Sequence, residues 1–308
     1  MITGTIAVCT RNRAAVLAQC LASLDGQLGE PGQLEVLVID NGSSDGTAAL
    51  LAGWAAAGDR RRVVAEPAVG LSRARNTALA ASNADVVVFT DDDALVPPTW
   101  AGAHLAAYAD LTVGAAGGPV GLVWPAGRPP WLSDELVQWY SALDKGDESV
   151  PFPGPHGPYG TNMSVRRAAA LDAGGFDPRL GRVGASLVSS EEPDLTRRLV
   201  AAGWAIRYVP TAAVVQQVLP ERLDRRWLLR RGWAQGLSNA RLGLSGDRPG
   251  RRERWRRAVA EARESGRQLA TRRAGDRDEL AAVVLAVLHA GAAVELARAT
   301  LAPREPGS

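Results

Sequence analysis

The segment Asp85-Val86-Val87-Val88-Phe89-Thr90-Asp91-Asp92-Asp93 joins an apolar run directly to three consecutive carboxylates. A short continuous apolar run of this kind is typical of a strand buried on both faces of a sheet. Two similar runs precede it, at residues 5–9 and 34–39, and a polar segment follows each of them. The chain therefore predicts at least three buried strands that end in polar side chains.

Between these runs the apolar residues adopt helical spacing, at residues 14–24, 47–57 and 71–82, with a further short strand at 62–64. Such alternation of strand and helix indicates an α/β fold, with a mostly parallel sheet flanked by helices. Ligands bind beyond the carboxyl ends of the strands in sheets of this type. We therefore expect the polar segments after residues 9, 39 and 90 to meet at one edge of the sheet.

The later chain is less regular. Gly- and Pro-rich stretches at 114–130 and 151–160 predict loops, and a further loop is predicted at 245–250. Helices are predicted at 132–143, 164–173 and 194–202, strands at 204–209 and 212–218, and further helices from 220 to about 242, at 251–271 and at 278–301. We place a domain boundary near residue 220, which gives a catalytic domain at 1–220 and an Arg/Trp-rich helical region at 221–308.

The formal charge of +2 over 308 residues is unevenly distributed. Residues 1–220 carry 16 basic and 22 acidic side chains, a net charge of −6, whereas residues 221–308 carry 19 and 11, a net charge of +8. Cys9 and Cys20 lack metal-site spacing, which predicts thiols in a reducing compartment. The N-terminus has no secretory pattern, and the apolar stretch 280–294 is shorter than a bilayer requires. We expect a cytoplasmic protein.

The Asp91-Asp92-Asp93 cluster has two interpretations. Adjacent carboxylates repel one another unless a cation neutralises them, and their hard oxygens suit Mg²⁺ or Mn²⁺, which also bind substrate phosphates. A solvated turn or helix cap would use the same residues. Its position after a buried strand favours metal binding.

Other polar segments carry similar alternatives. Asp40 could accept from a nucleobase or a ribose hydroxyl, or it could stabilise a turn. Arg73 and Arg75, at the start of a predicted helix, suit a diphosphate or simply face solvent. The cluster of Glu191, Glu192 and Asp194 could supply a general base or cap a helix. Residues 160–163 could bring backbone close to a sugar or form an ordinary loop.

Together these segments resemble the family 2 glycosyltransferases, which have the GT-A fold. The resemblance covers roughly residues 3–218 and rests on seven motifs in order. They are Ala7-Val8-Cys9-Thr10-Arg11-Asn12-Arg13, Val36-Leu37-Val38-Ile39-Asp40-Asn41-Gly42-Ser43-Ser44-Asp45-Gly46-Thr47, Gly70-Leu71-Ser72-Arg73-Ala74-Arg75-Asn76, Phe89-Thr90-Asp91-Asp92-Asp93-Ala94, Gly160-Thr161-Asn162-Met163-Ser164-Val165-Arg166-Arg167, Gly174-Gly175-Phe176-Asp177 and Glu191-Glu192-Pro193-Asp194-Leu195.

The resemblance implies a role for each of a small set of residues. Thr10, Arg11 and Asp40 would line the nucleotide pocket, Arg75 would face the diphosphate, and Asn162 would lie at the donor. Asp91, Asp92 and Asp93 cover the metal motif of the family, with Asp93 and Asp91 as metal ligands and Asp91 and Asp92 also facing the donor. Glu192 falls at the position of the catalytic base, usually an aspartate, and Glu191 or Asp194 could contribute.

The implied reaction is a single displacement with inversion at the anomeric carbon, from a UDP-, dTDP- or GDP-sugar to a small-molecule or glycan acceptor, with Mg²⁺ or Mn²⁺ as cofactor. Relatives often have a histidine near residues 216 and 217 that assists metal binding, whereas this chain has Gln216 and Gln217. An amide oxygen is a weaker ligand than imidazole for transition metals. Two alternatives follow: low metal affinity in the absence of donor, or a metal shell completed by water.

Two other functions stay open at this stage. A nucleotidyltransferase would normally have a Gly-rich triphosphate loop near the N-terminus, and residues 9–13 contain no glycine. A non-catalytic sugar-nucleotide-binding protein is compatible with Glu192 and with the missing histidine.

The C-terminal region also leaves alternatives. Residues 221–257 contain 12 arginines and four acids, which fits an acceptor-side lid, peripheral contact with an anionic membrane or a solvated helical appendage. The segment 280–301 could be a helix through which two copies of the chain form a homodimer, or it could close the helical layer. No nucleic-acid recognition motif is present, so we expect no nucleic-acid partner.

Overall fold

A computed structural model describes residues 2–28, 34–152, 157–244, 249–271 and 279–301. These residues form two compact units. The first comprises residues 1–125, 141–184 and 191–218, and the second comprises residues 126–140, 185–190 and 219–308. Two short segments of the first 220 residues thus belong to the second unit. The predicted division of the chain into two domains at residue 220 stays a prediction.

The first unit is built on a seven-stranded sheet of order β3-β2-β1-β4-β8-β6-β9 and a smaller sheet of order β5-β10-β7. Its ten strands are β1 Gly4–Thr10, β2 Leu34–Asp40, β3 Arg61–Ala65, β4 Val86–Asp91, β5 Ala94–Leu95, β6 Val113–Gly117, β7 Val120–Val123, β8 Asn162–Arg166, β9 Ala205–Tyr208 and β10 Val214–Gln217. In the large sheet only β8 runs antiparallel to its neighbours. The predicted α/β class, with a mostly parallel sheet, is confirmed.

Helices cover both faces of the large sheet because its strands are apolar on both sides. The helices of this unit are α1 Ala14–Asp25, α2 Thr47–Ala55, α3 Leu71–Ala81, α4 Trp100–Ala107, α6 Arg167–Asp172 and α7 Glu191–Ala201. Successive side chains of one strand enter opposite cores: Ile6 and Val8 of β1 lie in one apolar cluster, whereas Ala7 lies in the other. This alternation follows from the two-residue period of a strand.

The register of the parallel strands brings their polar ends together. Thr10 at the end of β1 lies opposite Asp40 at the end of β2, and Cys9 lies opposite Asp91 at the end of β4. The polar residues that follow these strands therefore lie at one edge, as the sequence indicates.

Three predictions for the middle of the chain are wrong. The predicted loop at 114–130 contains strands β6 and β7. The predicted helix at 164–173 begins as strand β8, and only Arg167–Asp172 is helical. The predicted helix at 132–143 is limited to α5, Asp134–Val137, and a 3-10 turn at Gln138–Tyr140. The Gly-containing strands β6 and β7 lack the alternation of apolar and polar residues that usually predicts a strand. The alanines that follow β8 suggest a helix that starts earlier than it does.

The second unit is helical. Beside α5 it contains a 3-10 turn at Pro220–Arg222 and three long helices, α8 Arg225–Leu244, α9 Arg251–Thr271 and α10 Glu279–Leu301, with α10 packed against both α8 and α9. Most of the predicted loop at 245–250 and the predicted helix start at 278 lie outside the described residues. Among the described helices, α10 is long and apolar enough to cross a membrane, with a mean hydropathy of 2.1, and one third of this apolar window is buried within the structure. The apolar helix is therefore longer than the stretch predicted at 280–294.

Candidate active site

The polar edge of the sheet holds a buried arginine surrounded by carboxylates. Arg75, in the second turn of α3, is 3% exposed, and its Nη1 lies 2.8 Å from Glu191 Oε1 and 3.0 Å from Glu192 Oε1. Its Nη2 lies 3.9 Å from Asp91 Oδ1 at the end of β4. One guanidinium therefore connects the first aspartate of the trio to the glutamate pair, which lies 100 residues later in the chain.

Aromatic rings hold this guanidinium from the other side. Arg75 lies over the rings of Phe89 and Phe176, at 6.0 and 5.4 Å from their centroids, and the two rings pack edge to face. Such faces attract a cation. Burial alone would lower the pKa of Arg75, but Glu192, Glu191 and Asp91 together raise it. The arginine is fixed in place and charged.

The two glutamates have different environments although they are adjacent. Burial and the charge of Glu192 raise the pKa of Glu191 to about 7, against the opposing effect of Arg75. Burial would also raise the pKa of Glu192, but Arg75 and hydrogen bonds, including one from the Gly160 backbone N–H at 3.1 Å, lower it overall. The side chain of Glu192 is 14% exposed and that of Glu191 only 1%. Glu192 is thus the ionised and more accessible member of the pair.

Gly160 is required by this arrangement. A Cβ at residue 160 would overlap the guanidinium of Arg75 and the carboxylate of Glu192. Helix α7 starts at Glu191, directly after Ser190, whose φ of 88° lies in the left-handed region. Such a conformation is unusual for a residue with a side chain and often occurs near functional sites.

Asp92 and Asp93 face the end of β1 and the second sheet. Thr10 Oγ1 donates to Asp92 Oδ2 at 2.7 Å, and the guanidinium of Arg13 lies 3.7 Å from Asp92 and 4.0 Å from Asp93. Burial and the charge of Asp93 raise the pKa of Asp92 to about 7, against the effects of Arg13 and Thr10. Partial burial and the charge of Asp93 likewise raise the pKa of Asp91, although Arg75 opposes this.

The glutamines that replace the expected histidine lie at Asp93. Gln216 Nε2 donates to Asp93 Oδ1 at 3.1 Å, and the Gln217 backbone N–H donates to the Asp93 carbonyl at 2.9 Å. The Oε1 atom of Gln216 is buried and accepts no hydrogen bond from the described residues. Strand β10 therefore presents an amide oxygen beside this carboxylate.

The donor set is compatible with a hard divalent cation. Among the described residues no group of three or more His, Cys, Asp and Glu side chains is arranged as a complete metal site. Asp91 is 37% exposed, however, and Asp93 is supported by Gln216. Mg²⁺ is usually held by one or two carboxylates together with substrate phosphates and water, and these residues fit that pattern.

The remaining predicted residues are distributed as follows. Arg11 is exposed, and Asp40 is partly exposed, with its carboxylate accepting from the Ser43 backbone N–H at 3.0 Å. Both lie at the same strand ends as Thr10. The carboxylate of Asp194 forms ion pairs with Arg197 and Arg198 of its own helix, each at 2.8 Å, and these pairs stabilise the helix. Its predicted contribution to catalysis stays a prediction.

Two residues of the predicted site make extensive contacts within the protein, and their predicted roles toward the donor stay predictions. We expected Arg75 to face a diphosphate, but the structure buries it among carboxylates. We expected Asn162 at the donor, but it is buried, its Oδ1 accepts from Trp100 and contacts His104, and its Nδ2 donates to two backbone carbonyls. Both ends of this amide are used internally.

Several contacts that shape or support the site were not anticipated from the sequence. Gly160 and Arg13 lie within the quoted motifs, but nothing local indicates that they contact Glu192 and Asp92. His104 is fully buried between Asn162 and Ser164, each at 2.9 Å, and burial lowers its pKa to about 4. It is a neutral core residue that supports β8.

Comparison with known proteins agrees with this picture. The model of the family described as Glycosyl transferase family 2 matches residues 5–173. A glucosyl-dolichyl phosphate glucuronosyltransferase of Haloferax volcanii is 28% identical over 177 residues, which are 57% of this chain and 56% of that protein, so the chain spans little more than half the length of this relative. The succinoglycan biosynthesis protein ExoM of Rhizobium meliloti is 30% identical over 294 residues, which are 93% of this chain and 90% of that protein.

Among solved structures, the mannosyltransferase PcManGT of Pyrobaculum calidifontis, in complex with GDP-Man and Mn²⁺, superposes with a TM-score of 0.57 at 21% identity. The match covers 98% of this chain and 76% of that one. At this identity the likeness shows the fold, which is the predicted GT-A fold.

Proposed function

Because the chain belongs to glycosyl transferase family 2, we propose that it transfers a sugar from a nucleoside-diphosphate sugar to an acceptor hydroxyl, with inversion and with a divalent metal. The observation that carries this proposal is the single guanidinium of Arg75, which lies within 4 Å of both Asp91 and Glu192. It joins carboxylates suited to a metal-bound diphosphate with a carboxylate suited to a base.

Glu192 is the proposed base. A general base must be ionised and reachable, and the lowered pKa and partial exposure of Glu192 meet both conditions. Its carboxylate would take the proton of the acceptor hydroxyl as the oxygen attacks the anomeric carbon. Glu191, with a pKa raised to about 7, is the weaker candidate because it is buried. Opposite environments of adjacent carboxylates commonly separate such roles.

Arg75 is proposed as a positioning residue. It holds Asp91 and Glu192 at a fixed separation, and a fixed geometry of reacting groups is worth up to about 7–11 kcal/mol in favourable cases. Thr10 and Arg13 would hold Asp92 in the same way. Arg13, 25% exposed beside Asp92 and Asp93, is also proposed to contact a bound phosphate.

Asp91 and Asp93 would hold the divalent cation, with Gln216 fixing the orientation of Asp93. When bound, such a cation neutralises the charge of a departing nucleoside diphosphate. Asp40 and Arg11 would face the nucleoside. The Mn²⁺ and GDP-Man in the PcManGT complex support testing this metal and this donor first.

The acceptor is proposed to be a small molecule or glycan, in the cytoplasm or at its membrane face. Peripheral membrane contact through residues 221–308 and a homodimer are further parts of this proposal. The named activity of the Haloferax relative, on a dolichyl phosphate sugar, supports a lipid-linked acceptor as one class to test.

Donor binding is the first test. UDP-, dTDP- and GDP-sugars with and without Mn²⁺ are compared by thermal shift, because a ligand that binds the native state raises the unfolding midpoint by mass action. We expect one nucleotide class to stabilise the chain, and more so with Mn²⁺. If no nucleotide sugar shifts the midpoint, the proposed function is wrong.

Turnover is the second test. In Glu192→Gln we expect donor hydrolysis and transfer to fall by about 10²–10⁴-fold, the usual contribution of a general base, with an unchanged donor-induced thermal shift. Glu253→Gln makes the same chemical change on an exposed part of α9 and should keep wild-type rates. Equal hydrolysis by wild type and Glu192→Gln would refute the base assignment. Donor binding without turnover in the wild type would instead support a non-catalytic binder.

A further inference from the structure

Helix α9, Arg251–Thr271, packs against α10 with one side and leaves the other side in solvent. The exposed side combines arginines with apolar residues. At about 100° per residue, the following residues fall within about 140° of the helix circumference: Arg251, Arg252, Trp255, Arg256, Ala262, Arg263 and Leu269. We call this set the outer face of α9, and all seven side chains are exposed.

The four arginines of the outer face make no ion pair or hydrogen bond with the described residues. The other two arginines on exposed positions of α9 do: Arg257 contacts Glu253 at 2.9 Å, and Arg267 contacts Glu264 at 2.6 Å. The outer face therefore carries four positive charges that nothing in the described structure neutralises.

The carboxylates of α9 lie on the other side of the helix. Glu253 and Glu264 pair with the arginines just named, and Glu261 contacts His289 of α10 at 2.6 Å. Opposite charges on a helix face usually intersperse when the face is simply solvated. Here the positive and negative charges are separated around the helix, which is the arrangement of a surface that meets an anion.

Apolar groups lie among these charges. Trp255 is 52% exposed and Leu269 is 42% exposed. Both are large apolar side chains of the kind that a helix usually packs against its neighbours. Tryptophan prefers the boundary between headgroups and hydrocarbon, where its ring is apolar and its N–H can be hydrated. A nucleic-acid partner would explain the arginines but not an exposed leucine about four helical turns from the tryptophan.

We propose that the outer face of α9 is a docking surface for an anionic lipid bilayer, on which the helix lies parallel to the membrane plane. Each arginine near such a surface contributes about a fivefold increase in partitioning, and several act together. The attraction is electrostatic and is screened by salt. This proposal specifies the membrane contact suggested above and does not depend on glycosyl transfer.

The test is co-sedimentation of the full 308-residue chain, without donor, with phosphatidylcholine vesicles that contain or lack phosphatidylglycerol. We expect binding to the anionic vesicles only, lost on raising the salt concentration. Arg256→Gln/Arg263→Gln removes two unpaired charges and should weaken binding about thirtyfold. Trp255→Ala, made in the otherwise wild-type chain, should also weaken binding to the anionic vesicles, although it leaves the net charge unchanged.

The matched control is Arg257→Gln/Arg267→Gln, which removes the same charge from arginines that are already paired, and it should keep most of the binding. An equal loss in the two double variants would refute the outer face, since net charge alone would then explain it. Tighter binding to a short DNA duplex than to anionic vesicles would also overturn the proposal. So would protein that stays in the pellet after an alkaline carbonate wash, because α10 would then be inserted in the bilayer. Vesicle binding is measured without turnover, so its failure leaves the proposed reaction unaffected.

Discussion

Arg75 illustrates how a buried charge organises a site at the scale of single residues. Placing a cation at 3% exposure is costly unless carboxylates and hydrogen bonds compensate it, and breaking one partner of such a group leaves an unpaired buried charge. The compensation comes from β4 through Asp91 and from α7 through Glu191 and Glu192. Gly160 allows this approach because a side chain there would overlap the ion pair. The same contacts that satisfy the charge also fix the relative positions of two elements.

The pKa of Glu191 gives a pH-dependent prediction. Its value of about 7 in the folded protein lies above the unfolded value of about 4.3. The folded state therefore holds the proton more tightly, and the associated stability is present below about pH 4 and is lost as the pH rises through about 7. Between pH 5 and pH 8 we expect the free energy of unfolding to fall less in Glu191→Gln than in the wild type. The difference should be on the order of 2 kcal/mol, or about 4–8 °C in the unfolding midpoint.

This comparison uses thermal unfolding across the pH range in the absence of donor and metal. Glu253→Gln serves as the control, because its exposed side chain should leave the wild-type pH profile unchanged. Parallel profiles for Glu191→Gln and the wild type would show that another group causes the pH dependence.

At the scale of helices and strands, the sequence predicts those elements whose side chains report their own environment. Strands β1, β2 and β4 are apolar on both faces, which is the pattern of strands that pack against helices on both sides, and their polar ends mark the site. Strand β6, with the sequence VGAAG, gives no such signal. Glycine occupies two positions of this strand because neighbouring segments leave no room for a side chain. A Cβ at Gly114 would overlap Trp204, and one at Gly117 would overlap Pro158.

The same limit applies to β8 and to part of the site. Asn162–Arg166 is a strand because it pairs with β4 on one side and β6 on the other, a constraint that no local pattern contains. The metal-motif aspartates and Glu192 could be anticipated from residue type and position. The contacts of Gly160 and Arg13 could not, because they depend on segments that are distant in sequence.

The packing of α8 on α10 gives a prediction for one helix pair. A Cβ at Gly236 would meet the backbone of Leu288 and Ala292 in α10, whereas one at Gly243, in the same helix, would have open space. Gly236→Ala should therefore destabilise the helical unit by about 1–3 kcal/mol through overpacking. Gly243→Ala should stabilise it by up to about 1 kcal/mol, since alanine is the better helix former.

Denaturant unfolding followed by far-UV circular dichroism measures both variants, and hydrogen exchange of α10 localises the effect. If both substitutions stabilise the protein, the close approach of α8 and α10 is not present in solution.

For the whole molecule, the charge and the contacts divide the chain differently. Charge changes sign near residue 220, from −6 before it to +8 after it. The contacts instead assign residues 126–140 and 185–190 to the C-terminal unit. Tyr140 stacks on Trp227 with ring centroids 5.1 Å apart, and the Ser189 backbone N–H donates to Ser238 Oγ at 2.9 Å. The helical unit therefore draws on chain from both sides of the change in composition.

A chain ending after Val218 should consequently lose structure within residues 126–140, although the removed part begins almost 80 residues later. The buried side chains of Leu132, Leu136 and Tyr140 would lose α8 and the other partners supplied by residues 219–308, because their own segment is too short to form a core. We expect rapid cleavage within 126–140 in limited proteolysis analysed by mass spectrometry, with increased binding of a hydrophobic dye. A chain ending after Leu301 keeps α8, α9 and α10 and should resist protease as the full chain does. If the shorter chain is equally resistant, residues 1–220 form an independent domain, and the change in charge rather than the contacts marks the true boundary.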